Sequence, residues 1–314
     1  MGFMISRRQL IKNAGLIGLF GATGLRSFAR EHKNKNRVLR FAHLTDVHIE
    51  PELNAPAGLA KCLHHLQSQK DQPAFIVSGG DCIFDALRQT KDRVELQWDL
   101  WQNIFKQESA LPVEHCIGNH DCWGFGAKQD PLYGKNYALE KMGLSIPYRS
   151  FDKAGWHFII LDSIQPKSDG TWYECRLDEA QFEWLQQDLS NTRLSTPVII
   201  ISHAPIVTGI AAVVFSDKKI NEQGYLAAPG LMHIDAQRLV QLFEGYPNVK
   251  VCLSGHIHLY ERIVYNNVNY ISNGAVCGNW WKGMHDRTDN GYALINLYDD
   301  GSFDDEYISY GWNK

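Results

Sequence analysis

The chain has 314 residues, of which 44% are hydrophobic and 21% are charged, and its formal net charge at pH 7 is −4. This length and composition suit one large soluble domain, or one domain with a modest C-terminal addition. The acidic balance argues against a protein that binds duplex nucleic acid, because such proteins usually carry a basic surface.

The first 29 residues differ in composition from the rest of the chain. A basic start that contains Arg7 and Arg8 is followed by an uncharged, glycine-rich stretch at 14–25 and by small residues around Ala29. This order is typical of an export signal. The alternatives are an ordinary amphipathic helix or a membrane anchor, but twelve residues are too few to cross a bilayer.

The paired arginines resemble a twin-arginine signal, although Leu10 stands where that class often has Phe. We therefore predict recognition by the export machinery, cleavage near Ala29, and a periplasmic or extracellular protein without a stable membrane anchor. The segment 1–29 contains four basic residues and no acidic one, so its removal changes the net charge from −4 to −8. The predicted mature domain covers 30–314.

All the cysteines lie in that mature part. Their number is odd and no C-x-x-C pattern occurs, although an exported protein could form disulfides. Several lie in apolar runs, so we predict buried thiols rather than a disulfide framework. The seven positions are Cys62, Cys82, Cys116, Cys122, Cys175, Cys252 and Cys277.

The first half of the mature chain alternates predicted strands and helices. Apolar runs predict strands at 38–44, 74–77 and 113–117, and amphipathic patterns predict helices at 57–69 and 91–107. This alternation is expected of βαβ units, which place polar residues at the carboxyl edge of a sheet.

The second half becomes richer in strands. Further helices are predicted at 135–142, 178–189 (with Asp178 as N-cap) and 235–244, and further strands at 148–152, 156–162, 198–202, 249–253, 261–265, 268–272, 292–297 and 302–309. Residues 207–233 form an irregular insert that suits either a substrate-facing lid or packing. The pattern alone predicts an α/β fold with a β-rich C-terminal third.

Polar residues follow five of the apolar runs. The clearest block is Gly118-Asn119-His120-Asp121, and the others are Asp46-Val47-His48, Gly79-Gly80-Asp81, His203 and Gly255-His256-Ile257-His258. Each block alone has a structural explanation, since aspartates cap helices and alternating histidines occur on strands. In order and type, however, the five blocks together resemble the calcineurin-like metallophosphoesterase superfamily, over about residues 38–258.

This resemblance implies a four-layer α/β/β/α sandwich of two mixed β-sheets flanked by helices. It also implies two divalent metal ions (Fe, Mn or Zn), because carboxylate oxygen and imidazole nitrogen suit such ions. The family pattern gives one ion Asp46, His48, Asp81 and His258, and gives the other Asp81, Asn119, His203 and His256, with Asp81 as the bridge.

The resemblance implies hydrolysis of a small phosphodiester or phosphomonoester by a metal-bridging hydroxide. In the family, the histidine that corresponds to His120 contacts the phosphoryl group or protonates the leaving oxygen. Many relatives orient it with an aspartate three residues after the bridging one. Here the nearest candidate is Asp85, four residues on, which leaves the orienting partner open.

The blocks look most similar to the branch with cyclic-nucleotide and glycerophosphodiester phosphodiesterases. Purple acid phosphatases usually lack the D-x-H histidine, so His48 places the chain outside that group. The alternatives are a non-catalytic relative that binds metal and phosphate, and a nuclease that acts on single-stranded nucleic acid. An intact His120 argues against the first alternative and the acidic balance against the second.

Two adjacent tryptophans, Trp280 and Trp281, are the candidate substrate contacts. They lie in a polar and aromatic stretch at 274–287. Adjacent side chains of an extended segment point to opposite sides, so we predict that one ring is buried and the other faces a cavity. The alternative is that both rings only cover apolar surface.

Overall fold

The computed structural model describes residues 35–167, 173–214, 224 and 227–312. Residues 36–314 cluster as one compact unit. The predicted export signal at 1–29 and part of the 207–233 insert lie outside the described residues. Among the helices that are described, none has the length and apolar character needed to cross a membrane.

The described residues form thirteen strands and six helices. The strands are β1 (Arg37–Leu44), β2 (Ile76–Ser78), β3 (Val113–His115), β4 (Arg149–Lys153), β5 (Trp156–Ile160), β6 (Ile164–Pro166), β7 (Tyr173–Cys175), β8 (Val198–Ile201), β9 (Val249–Ser254), β10 (Glu261–Tyr265), β11 (Val268–Ser272), β12 (Gly291–Tyr298) and β13 (Phe303–Ser309). The helices are α1 (Ala55–Gln67), α2 (Lys91–Glu108), α3 (Asn136–Met142), α4 (Glu179–Asn191), α5 (Ile210–Val213) and α6 (Ala236–Glu244).

Eleven of the strands form two mixed sheets. The first has the order β13-β12-β1-β2-β3, and the second has the order β10-β11-β9-β8-β5-β4. In the first sheet β1, β2 and β3 are parallel, and in the second β11, β9, β8 and β5 are parallel. Strands β6 and β7 pair separately as a short antiparallel ribbon.

The alternation of side chains along β1 shows how the layers arise. Leu39 and Phe41 lie in the apolar cluster between the two sheets, whereas Ala42 and Leu44 lie in the cluster that α1 and α2 cover. A third cluster joins the outer face of the second sheet to α4 and α6. Burial of one such large side chain contributes about 2 kcal/mol. The predicted α/β/β/α sandwich is confirmed.

Most predicted elements are confirmed within two or three residues at each end. Asp178 is the N-cap of α4, and its side chain accepts a hydrogen bond of 2.7 Å from the backbone N–H of Gln181. Strand β3 is shorter than predicted because the chain turns into a site loop after His115, whereas β2 begins two residues later than predicted. Helix α5 and the β6–β7 ribbon were not predicted. All seven cysteines are buried free thiols, as predicted.

Candidate metal centre and active site

The seven predicted metal ligands all follow the carboxyl ends of strands. Asp46 and His48 follow β1, Asp81 follows β2, Asn119 follows β3, and the remaining three follow β8 and β9. The parallel strands of the two packed sheets end at one common edge, which gathers these side chains. Six of the seven are buried, and His256 is half-buried.

The backbone at this edge is strained. Asp46, His48 and Asp81 have φ angles of 55°, 47° and 53°, and His256 and His258 have φ angles of 69° and 56°. Each left-handed residue that is not glycine costs about 1–2 kcal/mol. Such conformations persist only where the surrounding structure imposes them, and they concentrate at functional sites.

Two glycines make room for the two carboxylates. A Cβ atom on Gly118 would lie 2.1 Å from Oδ1 of Asp81, and a Cβ atom on Gly255 would lie 2.2 Å from Oδ2 of Asp46. Both contacts are far below van der Waals separation. The glycines of the G-N-H-D and G-H-x-H blocks therefore let the backbone approach the carboxylates.

One half of the centre contains Asp46, His48 and His258. The two imidazole Nε2 atoms are 3.1 Å apart, while Nδ1 of His48 donates to the Phe84 carbonyl (3.3 Å) and Nδ1 of His258 donates to the Gly278 carbonyl (2.9 Å). With both rings neutral, two lone pairs would face each other, so the pair requires a proton or a cation between them. Oδ1 of Asp46 lies 3.4 Å from Nε2 of His258 and is buried without a hydrogen bond.

The other half repeats this arrangement with Asn119, His203 and His256. Nε2 of His203 lies 3.1 Å from Oδ1 of Asn119 and 3.2 Å from Nδ1 of His256. The outer nitrogens again donate to backbone carbonyls, those of Gly79 (2.9 Å) and Gly230 (2.6 Å). Such outer hydrogen bonds fix the ring orientation and tautomer of metal-binding histidines.

Asp81 lies between the two halves. Its Oδ2 is 3.5 Å from Nε2 of His48 and 3.2 Å from Nε2 of His203. Its Oδ1 accepts a 2.7 Å hydrogen bond from the backbone N–H of His120. Asp81 is therefore the residue whose position suits a shared ligand.

The electrostatics of the centre favour positive charge in both halves. Burial opposes ionisation of Asp46 and Asp81, but neighbouring histidines outweigh it and keep both carboxyl pKa values low. Burial also disfavours imidazolium, yet Asp81 raises the pKa of His203 to about 9, and Cys277 followed by Asp46 raises the pKa of His258 well above its usual value. The buried negative charges thus favour a positive charge in each half of the centre, and the residues fit a pair of cations.

His120 lies at the edge of the centre, and Asp85 is beside it. Nδ1 of His120 is 3.4 Å from Oδ1 of Asp85. Burial lowers the pKa of His120, but Asp81 and Asp85 outweigh burial and raise it above its ordinary value. Asp85 is therefore the carboxylate whose position suits the orienting partner that the sequence left open, despite its spacing of four residues. His48, Asp81 and His120 also lie close enough together to share an ion.

Two supporting residues carried no sequence signal that separated them from ordinary polar residues. Asp121 is buried and accepts backbone N–H groups of Asp81 (2.9 Å), Cys82 (2.8 Å) and Gly118 (2.9 Å). Gln97 of α2 accepts the backbone N–H of Asp85 at 2.9 Å. The Asp121 bonds hold the Asp81 loop against the Asn119 loop, and the Gln97 bond holds Asp85 against α2. Asp121 belongs to a predicted block, but no supporting role was predicted for it.

The two tryptophans have different environments. The Trp280 ring is half-buried and its centroid lies 4.1 Å from that of His48. It lines a cavity of about 300 Å³, called here the Trp280 cavity, together with Glu50, Leu53, Phe84, Asp85, His120 and Lys282. An aromatic face beside the centre suits contact with an organic group.

Trp281 is fully buried, and its indole N–H donates to the His48 carbonyl at 2.9 Å. Its position does not suit the substrate contact predicted for it, because the ring packs in the core against Gly58. The predicted reason why the two rings point in different directions was also wrong. Both tryptophans have positive φ angles, 53° and 61°, so a tight turn rather than an extended segment separates their directions.

Fold and site together define a class of protein with a metal-binding centre where two packed sheets end. The family model of the calcineurin-like phosphoesterases matches residues 39–260, which is well over half of the chain. The chain belongs to the calcineurin-like phosphoesterase family.

Three similar proteins show the range of this relationship. A 3′,5′-cyclic-nucleotide phosphodiesterase of Nostoc is 24% identical over 281 residues, which cover 86% of this chain and 92% of that protein. Purple acid phosphatase 22 of Arabidopsis thaliana is 35% identical over 231 residues, which cover 70% of this chain and 46% of that protein. The structure of a dimetal phosphatase from Danio rerio has a TM-score of 0.63 at 16% identity, covers 88% of this chain and all of that one, and shows the shared fold.

The similarity to a purple acid phosphatase bears on the expectation that the chain lies outside that group. That expectation depends on His48 and stays a prediction.

Proposed function

We propose that the chain hydrolyses a small phosphodiester or phosphomonoester with the help of two divalent cations. One observation carries this proposal. Imidazole nitrogens face each other at 3.1 Å in one half and at 3.2 Å in the other, with the Asp81 carboxylate between the halves. Two cations would resolve both contacts, and Asp81 would be a ligand to each of them.

The residues fall into two ligand sets. Asp46, His48, Asp81 and His258 would hold one cation, and Asp81, Asn119, His203 and His256 would hold the other. Mixed nitrogen and oxygen ligands suit Fe, Mn or Zn. When bound, two such ions polarise phosphoryl oxygens and lower the pKa of water toward neutrality.

His120 is the proposed proton donor to the leaving oxygen. Its Nδ1 faces Asp85, so its Nε2 is the nitrogen available to carry the transferred proton. The raised pKa keeps the ring protonated to a higher pH than a free histidine. Asp85 acts as a positioning residue, because it fixes the ring and favours its charged form.

The Trp280 cavity is the proposed site of the leaving alcohol. His120 and Trp280 both line it, so an organic group in this cavity lies beside the proposed proton donor. The names of the two curated relatives include one phosphodiesterase and one phosphatase. They support phosphoester hydrolysis and leave the choice between diester and monoester to experiment.

The test is turnover of phosphomonoesters, phosphodiesters and pyrophosphates by protein whose metal content has been measured. We expect hydrolysis that a chelator abolishes and that added Fe, Mn or Zn restores, with about two metal ions per chain at full activity. Protein that binds two ions but hydrolyses none of these esters would instead be a binding relative. Degradation of single-stranded DNA on a gel, with no activity on small esters, would indicate a nuclease.

Export is a separate proposal, supported by the composition of residues 1–29. Joint substitution Arg7→Lys and Arg8→Lys should leave the precursor in the cytoplasm, because the twin-arginine route requires the pair. Arg26→Lys, which keeps the pair, is the control. Unchanged export of the double variant would indicate the general secretory route or no signal.

A further inference from the structure

A second pocket lies next to the metal centre, apart from the Trp280 cavity. Its volume is about 330 Å³, and Leu87, Trp123, Tyr133, Lys135, Ile164 and Tyr173 are among the residues that line it. Most of these side chains are apolar or aromatic. Neither the ligand sets nor the proposed proton donor uses this pocket.

The two cavities are built from the same two loops. Phe84 and Asp85 line the Trp280 cavity, whereas Leu87 lines the second pocket. His120 lines the Trp280 cavity, and Trp123 lines the second pocket. The backbone N–H of Ala86 donates to the His120 carbonyl at 2.8 Å, which ties the loops together between the two cavities.

The second pocket adjoins the half of the centre that contains His256. The Tyr173 ring centroid lies 6.3 Å from that of His256. Gly230, whose carbonyl accepts the His256 N–H, is so close to Tyr173 that a Cβ atom there would lie 3.5 Å from the ring. The Trp280 cavity thus adjoins the centre at His120, and the second pocket adjoins it at His256 through Tyr173.

The charge of the pocket indicates which group it would accept. Lys135 is the charged side chain among the described residues that line it. Its ammonium is paired with the buried carboxylate of Asp162 and lies 3.3 Å from Oε1 of Gln165. Because this cation is already neutralised, the pocket suits an uncharged group with a flat or apolar surface rather than a second phosphate.

We propose that the second pocket binds the retained ester group of a phosphodiester, and that this group is uncharged and carries a ring. This inference rests on the proposed function and selects diesters within it. Water adds to phosphorus while the P–O bond to the alcohol in the Trp280 cavity breaks. The proton of His120 goes to the departing alcohol oxygen. One proton of the water stays on the monoester product, and the other passes to solvent, from which His120 is reprotonated. The group in the second pocket leaves as part of the phosphomonoester product.

The test compares two diesters that release the same alcohol, bis(4-nitrophenyl) phosphate and methyl 4-nitrophenyl phosphate. The ratio of their kcat/KM values reports on the retained group alone. We expect the wild type to prefer the diaryl ester, and Leu87→Trp, which fills the pocket, to lower the ratio about tenfold. Leu194→Trp, at a surface position that is 63% exposed, should keep the wild-type ratio.

A binding measurement separates affinity from turnover. Calorimetric titration with diphenyl phosphate and dimethyl phosphate should show that Leu87→Trp weakens binding of the diphenyl compound by about tenfold and affects the dimethyl compound much less. If Leu87→Trp does not fold, Tyr133→Ala removes a ring from the same pocket and should lower the diaryl-to-methyl ratio in the same direction.

The outcomes distinguish the two proposals. Metal-loaded wild type that hydrolyses no phosphoester overturns the proposed function. Wild type that hydrolyses both diesters, with an unchanged ratio and unchanged diphenyl phosphate affinity in a folded Leu87→Trp variant, overturns the second-pocket proposal and leaves phosphoester hydrolysis in place.

Discussion

Histidines in two regions of the molecule have opposite surroundings. In the metal centre, His48, His203 and His258 donate through Nδ1 to backbone carbonyls and direct Nε2 inward. At the β4–β5 edge, His157 has a carboxylate at each nitrogen. Nδ1 lies 2.7 Å from Asp152 and Nε2 lies 2.8 Å from Asp188.

The partner of each ring nitrogen decides what the ring can do. Hydrogen bonds that the ring donates to Asp188 and then to Asp152 raise the pKa of His157 despite partial burial, so the folded protein favours the protonated ring. In the metal centre a backbone carbonyl accepts one ring N–H, which orients the ring and leaves the other nitrogen to accept a proton or to bind a metal. Histidines that a sequence cannot tell apart thus become either a metal ligand or a charged structural bridge.

The largest expected effect comes from the residue shared by both halves of the centre. Asp81→Asn should lower metal content and activity together, with a loss of affinity of at least about 100-fold, because an amide lacks the charge needed by two cations. Elemental analysis and phosphoester turnover on the same preparation measure both effects. Asp178→Asn, which replaces one good helix cap with another, should change neither. Retention of two ions and normal turnover in Asp81→Asn would show that Asp81 is not the bridge.

A smaller effect is expected at His120, which lies beside the centre but outside both ligand sets. His120→Ala should keep the metal content and lower kcat about 100- to 1,000-fold for alkyl esters, whose alcohols leave poorly without a proton. The loss should be smaller for 4-nitrophenyl esters. Asp85→Asn should give an intermediate loss because it removes the carboxylate beside Nδ1.

Two results would contradict this role for His120. Loss of one metal ion per chain would make it a ligand, an option that its closeness to His48 and Asp81 allows. Equal losses on activated and unactivated esters would argue against proton donation.

The local sequence pattern predicted which residues lie together in the metal centre. Period-2 apolar runs set the faces of the strands, and parallel strands bring the residues after Leu44, Ser78 and Ile201 to one edge. The conformation of those residues was not predictable in the same way. Positive φ angles at Asp46 and His258 are imposed by contacts with distant loops, and no local propensity favours them.

Tertiary contacts also decided the details that the sequence left open. Asp85 reaches His120 despite the extra residue because Gln97, twelve positions later on α2, holds its backbone. Trp280 and Trp281 separate because each takes a left-handed conformation, which an extended pattern does not anticipate. Spacing along the chain is thus a weak guide wherever a loop is held by another element.

The Trp280 cavity offers a further contrast with the His157 region, since the Trp280 ring lies against His48 of the metal centre. Trp280→Ala should raise KM for a bulky ester about tenfold and raise KM for a methyl ester less, because the lost surface contacts the alcohol part. Trp184→Ala is the matched control, since this half-buried ring of α4 packs against Tyr148 and lies outside the cavity. Equal changes in KM for the two esters would remove Trp280 from substrate selection.

The smallest expected effect concerns stability at His157. Its pKa is raised in the folded state, so the ring stabilises the fold fully below the unfolded pKa of about 6.5 and loses that contribution as the pH rises through the higher folded value. His157→Gln should therefore destabilise the protein by about 1 kcal/mol at pH 5.5, or roughly 2 °C in Tm, and by much less at pH 9. Thermal melts of the two proteins across this pH range measure the difference.

His64→Gln is the control, because the His64 side chain is 62% exposed and is paired with Glu108. Exposed ion pairs of this kind contribute little to stability. If the difference in the free energy of unfolding between His157→Gln and wild type stays constant from pH 5.5 to 9, His157 stabilises the protein by packing and not through its charged form.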